Sequence, residues 1–140
     1  MSKVAVVYWS GTGNTEAMAK AVADGAKKAG AEVSVFTSAE FGAADAAGFD
    51  GIAFGCPAMG AEVLEESEFQ PIWDGVKTSL SGKKIGLFGS YGWGGGEWMD
   101  SWAEDAGQSG VTLAADPVTA NEEPDDEAVA NCEALGAAIA

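Results

Sequence analysis

The chain alternates short apolar runs with stretches of helical period, and this alternation limits its possible folds more than any other feature. Five runs have the length and the β-branched or aromatic composition of strands, and the last of them continues past Pro117 to Val118. They are residues 4–8, 33–36, 52–54, 85–88 and 111–115. Strands that alternate with helices form a parallel sheet covered on both faces, so we expect an α/β fold with a doubly wound sheet.

A helical stretch follows each predicted strand. We predict helices from Thr15 to a stop at Gly30, within 38–48 as a short or irregular helix, along the stripe from Phe69 to Leu80, from Trp98 to Ala106, and after Pro124. The chain has no repeat, linker or low-complexity segment, so we expect residues 1–140 to form one domain. In such folds the ligand lies beyond the carboxyl ends of the strands, so the function should lie in the loops there.

Charge and composition exclude several classes of function. The chain has 22 acidic residues, seven lysines, no arginine and no histidine, giving a formal charge of −15. Phosphate neutralisation needs clustered cations, so we expect no nucleic-acid partner. Because histidine is absent, the chain lacks the usual general base near neutral pH and the commonest metal ligand. No apolar run approaches about 18 residues, and the first residues lack the basic-then-apolar pattern of a signal peptide, so we expect a soluble, cytoplasmic protein without a membrane or metal role. The residues after Lys84 include 11 acids and no cation, which indicates either solubility or a negative face that steers a basic partner.

The two cysteines predict neither a disulfide scaffold nor a zinc site. Cys132 falls on the apolar stripe of the last predicted helix, and Cys56 follows the third predicted strand. We expect Cys132 to be a core residue and Cys56 to be a buried, inert thiol.

The loop after the first predicted strand combines two glycines with four side chains that carry a hydroxyl or an amide. They occur in the order Ser10, Gly11, Thr12, Gly13, Asn14 and Thr15. Glycine lets main-chain N–H groups converge, and a helix start carries about half a positive charge, so the loop suits a phosphate held by neutral donors. It lacks the Gly-Lys-Ser/Thr of a Walker loop, and Glu16 replaces the third glycine of the dinucleotide fingerprint. The alternative is an ordinary polar turn that caps the helix.

Three further loops lie at the same predicted edge. The loop after the third strand contains Met59, whose polarizable sulfur suits contact with a flat ring, and Gly60, whose peptide can adopt more than one orientation. The loop after the fourth strand places Trp93 among five glycines, so that a planar ligand can approach the main chain and stack. Asn121 closes the edge after the fifth strand. Core packing is the alternative interpretation for Met59 and for Trp98.

The segment 6–15, with Ala19 four residues on, resembles the flavodoxin signature. The segments 55–60, 64–67, 87–94 and 121–122 resemble the short-chain flavodoxins of anaerobic bacteria such as clostridia, in order along the whole chain. The resemblance implies a flavodoxin-like three-layer sandwich with a five-stranded parallel sheet in the order 2-1-3-4-5. It also implies one noncovalently bound FMN.

By this resemblance, the first loop holds the phosphate, Trp93 stacks on the outer face of the isoalloxazine and Met59 packs on its inner face. Glu62 corresponds to the carboxylate that accepts a hydrogen bond from flavin N3–H, and the Gly60 carbonyl to the group that accepts one from reduced flavin N5. The remaining implied cofactor-binding positions are Pro57, Ala58, Ser90, Tyr91, Gly92, Gly94 and Asn121. Trp9 corresponds to a tryptophan near the cofactor, with packing as its alternative role.

Two positions depart from the family pattern. Pro57 stands where some relatives have a serine that reaches the phosphate, and Ala61 stands where a relative has aspartate. The first removes a polar contact, and the second changes the turn beside flavin N5.

These features predict a low-potential one-electron carrier whose FMN cycles between semiquinone and hydroquinone. No residue resembles a catalytic acid, base or nucleophile, so we expect an electron-transfer protein and not an enzyme. We expect a monomer that docks redox partner proteins on its acidic face. The alternatives are an FMN-dependent NAD(P)H/quinone reductase, which needs a second substrate site and cations; a receiver-type regulatory module, which needs a lysine after the fifth strand; and a phosphate-binding domain without flavin.

Overall fold

The computed structural model describes residues 2–9, 13–58, 64–65, 67–92 and 96–140. Its strands are β1 (Lys3–Tyr8), β2 (Glu32–Thr37), β3 (Gly51–Gly55), β4 (Lys84–Tyr91) and β5 (Val118–Asn121). Its helices are α1 (Asn14–Lys28), α2 (Ala43–Ala46), α3 (Phe69–Val76), α4 (Glu97–Gln108) and α5 (Asp126–Ile139), with short 3-10 turns at Ser38–Glu40 and Lys77–Ser79.

The five strands form one sheet in the order β2-β1-β3-β4-β5, and every pairing is parallel. Apolar clusters cover both faces. Trp73 of α3 and Trp102 of α4 belong to one cluster, and Met18 of α1 and Leu135 of α5 belong to the other. The central strands are therefore covered on both sides, which is why their sequences are continuous apolar runs. The predicted three-layer fold and strand order are confirmed.

The helix ends follow their local sequence signals. Helix α1 ends at Lys28, and Gly30 follows with φ of +94° and donates its N–H to the Lys27 oxygen. Asp125 begins α5 by accepting a hydrogen bond of 2.8 Å from the N–H of Ala128. The segment 38–48 contains the four-residue helix α2 and one 3-10 turn, in agreement with the predicted short or irregular helix.

The fifth strand is not where the apolar run at 111–115 predicts it. Within that run only Leu113 pairs with the sheet, as an isolated bridge to Ile85, whereas β5 is Val118–Asn121. The cause is the register with β4, because Val118 pairs with Phe88 and Asn121 pairs with Tyr91. Asn121 is thus the last residue of an edge strand and not part of a loop.

Helices α1 and α5 pack with their main chains in contact. An ideal Cβ at Gly25 would lie 1.9 Å from the Glu133 oxygen, and one at Gly136 would lie 2.0 Å from the Val22 oxygen. The last turn of α5 lies at the edge of the sheet where the strands begin, since an ideal Cβ at Gly51 would lie 2.1 Å from the Ile139 oxygen. Within the described ranges, no helix has the length and apolar character needed to cross a membrane.

Candidate cofactor site

Main-chain hydrogen bonds extend the sheet beyond the ends of its strands at the carboxyl edge, and we call Trp9, residues 56–58 and the end of β4, which they join, the frame. Trp9 donates its N–H to the Gly55 oxygen at 3.0 Å, joining the ends of β1 and β3. Ala58 donates to the Ser90 oxygen at 3.0 Å, so residues 56–58 continue beside the end of β4. The frame spans the point where the strand order reverses between β1 and β3, which is where open α/β sheets bind ligands.

The start of α1 supplies hydrogen-bond donors at this edge. Gly13 precedes the helix with φ of +91°, a left-handed conformation that disfavours side chains, and no side chain of the described residues caps the helix. Thr15 is only 1% exposed, and its Oγ1 has no hydrogen-bond partner among the residues that the structure describes. Two other buried groups share this property, Ser38 Oγ and Trp102 Nε1, but only Thr15 lies in the first turn of a helix after β1. A bound phosphate would satisfy the Thr15 hydroxyl, so this end of the site fits a phosphorylated cofactor.

The end of β4 is tied to the turn after β5. Ser90 is buried and donates its hydroxyl to the main-chain oxygen of Glu122 at 2.6 Å, while Glu122 donates its N–H to the Tyr91 oxygen at 2.7 Å. The half-buried ring of Tyr91 packs against Trp98 with centroids 5.5 Å apart. An ideal Cβ at Gly92 would meet no atom of the described residues within 4 Å.

Tyr8 and Trp9 line the cleft between the ends of β1 and β2. The cleft has a volume of about 360 Å³ and is also lined by Gly13 and Ser38. Burial and a hydrogen bond of 2.9 Å to Glu16 raise the pKa of the Tyr8 hydroxyl. Trp9 is half-buried and packs against the core, which supports its alternative role in packing.

Cys56 is a fully buried residue of the frame. Its N–H donates to the Phe88 oxygen at 3.1 Å, and its carbonyl accepts a hydrogen bond of 3.1 Å from Trp98 Nε1. Burial raises the pKa of the Cys56 thiol to about 12. The predicted burial of Cys56 and the predicted core position of Cys132 are confirmed, and Trp98 also packs in the core.

Glu65 is a feature of this edge to which sequence reasoning assigned no role. Its side chain is buried, with the residue 8% exposed, and accepts hydrogen bonds from the N–H groups of Ser67, Glu68 and Phe69 and from the Ser67 hydroxyl. Burial alone would raise the pKa of this carboxyl, but the hydrogen bonds from Ser67, Phe69 and Glu68 outweigh it and lower the pKa to about 2. The carboxylate therefore caps α3, which begins at Phe69.

The structure places nine of the predicted cofactor-binding residues at the carboxyl edge. They are Gly13, Asn14 and Thr15 after β1, Pro57 and Ala58 after β3, Ser90, Tyr91 and Gly92 at the end of β4, and Asn121 at the end of β5. The other predicted residues, together with Ala61, lie outside the described residues. They are Ser10, Gly11, Thr12, Met59, Gly60, Glu62, Trp93 and Gly94.

Comparison with known proteins covers nearly the whole chain. Residues 6–136 match the family model described as Flavodoxin. The chain is 47% identical over 137 residues to the flavodoxin of Megasphaera elsdenii, covering 98% of both chains. It is 44% identical over 135 residues to the flavodoxin of Clostridium beijerinckii, covering 96% of this chain and 97% of that one.

The fold of the chain also matches those of solved flavodoxin structures. The solution structure of two-electron reduced Megasphaera elsdenii flavodoxin superposes with a TM-score of 0.89 at 46% identity, covering 97% of both chains. A flavodoxin structure from the domain Archaea superposes with a TM-score of 0.86 at 31% identity, covering 98% of this chain and 95% of that one. These matches show that the chain belongs to the flavodoxin family, whose members carry electrons on FMN to redox partner proteins and are not enzymes.

Proposed function

We propose that this chain is a low-potential carrier that accepts and donates one electron at a time. Its FMN supplies the redox chemistry and would cycle between the semiquinone and the hydroquinone. The observation that carries the proposal is the buried hydroxyl of Thr15 at the start of α1, which has no hydrogen-bond partner among the described residues and lies next to the loop that has the phosphate-binding motif. We propose that residues 1–140 form a single domain around this one site.

The phosphate would be held without any cation. The proposed contacts are Ser10, Gly11 and Thr12 in the loop and Gly13, Asn14 and Thr15 at the start of α1. The first N–H groups of a helix have no carbonyl partner within it and carry part of the helix dipole, so they attract a dianion. The Thr15 hydroxyl would add a donor that no described residue of the chain uses.

The flavin ring would lie against the frame formed by residues 56–58 and the end of β4. The proposed ring contacts are Pro57, Ala58, Met59, Gly60, Glu62, Ser90, Tyr91, Gly92, Trp93, Gly94 and Asn121. The hydrogen bonds from Ala58 to Ser90 and from Ser90 to Glu122 support this placement, because they fix the main chain on which the ring would rest. A fixed main chain lowers the ordering cost of binding.

The charge of the chain favours a low second potential. Adding an electron to a site with net negative surroundings is opposed by each nearby carboxylate, by about 1–2 kcal/mol at roughly 10 Å and an effective dielectric constant of about 20. For a one-electron couple, about 1.4 kcal/mol corresponds to about 59 mV. With 22 acids against seven lysines, the chain has many such carboxylates, although salt screens the distant ones.

We propose that redox partners dock on an acidic face around the site, with the chain acting as a monomer. The acids beyond Lys84 include Glu122, Glu123 and Asp125, which directly follow β5 at the carboxyl edge. A partner with a basic patch would be steered to this edge, bringing its own cofactor near the flavin. The two buried, unpaired cysteines fit a reducing compartment, and we propose the cytoplasm as the site of action.

A stepwise dithionite titration of the FMN-loaded protein, followed by visible spectroscopy, tests the proposal. We expect one FMN per chain and two separate one-electron steps with a blue intermediate between them. Apoprotein that stays colourless with excess FMN would refute the cofactor site, and reduction in a single two-electron step would refute the one-electron carrier. Rapid oxidation of NADPH by the loaded protein alone would instead favour a reductase.

A further inference from the structure

Strand β5 is the last strand of the sheet, and no strand of the described residues pairs with its outer edge. Directly after the strand, Glu122 donates its N–H to the Tyr91 oxygen of β4. Peptide groups alternate in direction along a strand, so Ala120 also faces β4, whereas the N–H and C=O groups of Thr119 and Asn121 face away from it. The outer edge of β5 therefore presents main-chain donors and acceptors in the geometry that a further strand needs.

The sequence of β5 leaves this edge open to pairing. Natural edge strands are often protected by a lysine or a proline within the strand, and β5 contains neither, since Pro117 precedes it. The strand is only four residues long, so main-chain pairing alone would hold a short segment weakly. Such pairing needs a second contribution from the surface beside the strand.

Two cavities between β5 and α5 border this strand. One has a volume of about 410 Å³ and reaches from Asp116 to the buried side chain of Leu135. The other has a volume of about 220 Å³ and reaches from β5 to the first turns of α5. Thr119 and Asn131 line both cavities, so the two adjoin at the middle of the strand. We call the two cavities together the β5 groove.

The charge of the β5 groove selects what it can hold. Its lining residues include four exposed acids and no lysine. The acids are Asp116, Glu123, Asp125 and Glu127. Their potential attracts lysine and arginine side chains. A second copy of this chain is disfavoured as the occupant, because each copy has a formal charge of −15.

We propose that the β5 groove docks an extended, basic segment of a redox partner protein, which adds to the sheet as a further strand beside β5. The N–H and C=O groups of Thr119 and Asn121 pair with the main chain of the segment. Its alternate side chains point to the α5 side, where lysine or arginine reaches the acids of the groove. Because β5 ends at the carboxyl edge, a segment held there keeps the partner beside the flavin. This inference rests on the proposed function, which supplies the partner protein.

A short peptide of alternating lysine and valine, blocked at both ends, is the probe, and a peptide of alternating glutamate and valine is its control. Binding to the FMN-loaded protein is measured by fluorescence anisotropy of the labelled peptide. Thr119→Pro removes the outward N–H of the strand, whereas Thr119→Ala keeps it and is the matched control. We expect Thr119→Pro to weaken binding about tenfold, Thr119→Ala to bind like the wild type, and the acidic peptide not to bind. Equal binding by the two variants would overturn strand addition.

The charge of the groove is tested with a second matched pair. Glu123→Gln combined with Glu127→Gln removes two acids of the groove, and Asp24→Asn combined with Glu32→Gln removes two exposed acids that line neither cavity. We expect the first pair to weaken peptide binding about fivefold and the second to leave it unchanged. Equal losses in both pairs would show attraction to the whole chain and would overturn the assignment to this groove.

Amide hydrogen exchange locates the peptide even if Thr119→Pro does not fold. In the wild type, the peptide should slow exchange at the Thr119 and Asn121 amides and leave the amides of β2, the other edge strand, unchanged. Slowing at β2 alone would overturn the inference, and so would a dimer of the free protein that Thr119→Pro abolishes. The binding measurements involve no electron transfer, whereas the dithionite titration involves no peptide, so failure of this inference and failure of the one-electron carrier are seen separately.

Discussion

The hydroxyl of Ser90 donates a hydrogen bond of 2.6 Å to the main-chain oxygen of Glu122, which joins the end of β4 to the turn after β5. Ser90→Ala leaves that oxygen without this donor at a site where Ser90 is buried. We expect the free energy of unfolding of the apoprotein to fall by about 1–2 kcal/mol in urea titrations. Ser101→Ala, on the exposed surface of α4, is the control and should not lower stability, because alanine is the better helix former. Equal losses in both variants would contradict this role of Ser90.

Thr15→Val should weaken FMN binding without lowering the stability of the apoprotein. The buried hydroxyl has no described partner, so replacing it with a methyl group should leave the stability of the apoprotein unchanged or raise it by about 1 kcal/mol. FMN affinity should fall about tenfold or more, since a hydrogen bond to a charged group is lost. Riboflavin, which lacks the phosphate, should bind the variant and the wild type equally well in fluorescence titrations. A similar loss for riboflavin would show that Thr15 does not act on the phosphate.

Acid should selectively weaken the contribution of Glu65. Its pKa is lowered from 4.5 to about 2 in the folded chain, so the folded state favours the charged carboxylate. The resulting stability is present above pH 4.5 and is lost as the pH falls toward about 2. We expect Glu65→Gln to cost about 1–2 kcal/mol at neutral pH, and this difference from the wild type should shrink below pH 4.5. A difference that grows in acid would contradict the assignment.

Both thiols should be inert in the native protein. Burial raises the pKa of Cys56 and of Cys132 to about 12, so neither forms the thiolate at mildly alkaline pH. We expect no reaction with a chromogenic aromatic disulfide in the folded protein and reaction of both thiols in concentrated guanidinium chloride. Fast labelling of the folded protein would show that one of the buried sites opens readily.

Two glycine substitutions should have opposite effects on stability. Gly25→Ala places a methyl group 1.9 Å from the Glu133 oxygen, so it should force α1 and α5 apart and cost about 1–3 kcal/mol. Gly107→Ala adds a methyl group at an exposed position of α4 with no atom of the described residues within 4 Å, so it should stabilise the protein by about 0.5–1 kcal/mol. Thermal unfolding of both variants measures this, and a neutral Gly25→Ala would contradict the observed main-chain contact.

Most of the fold follows from local signals in the sequence. The apolar runs at 4–8 and 52–54 and the helix stop at Gly30 are set by near neighbours along the chain, and the structure places strands and a helix end there. The fifth strand depended on a pairing that is not local. The run at 111–115 has good strand composition, but register with β4 selects Val118–Asn121 instead. Composition alone does not distinguish the two segments.

In the candidate site, too, features set by local sequence were predictable and features set by distant contacts were not. The loop with Thr15 was predictable, because glycines and hydroxyls between a strand and a helix are a local pattern. The role of Glu65 was not, since a carboxylate that accepts from three following N–H groups depends on where α3 begins and on the burial of Cys56. The available signal was an acid four residues before Phe69, a spacing that also occurs on solvated surfaces.

The close approach of the Ile139 oxygen to Gly51 has a practical consequence for building hybrid proteins. Lys3 begins β1 at this same rim, and Lys84 Nζ bonds to the Ala140 oxygen at 3.1 Å. Lys3 and Ala140 therefore both lie on the side remote from the carboxyl edge. An affinity tag or a tethered redox enzyme could be fused to either terminus without covering the flavin approach, and a linker long enough to reach round the domain would be needed for intramolecular electron delivery.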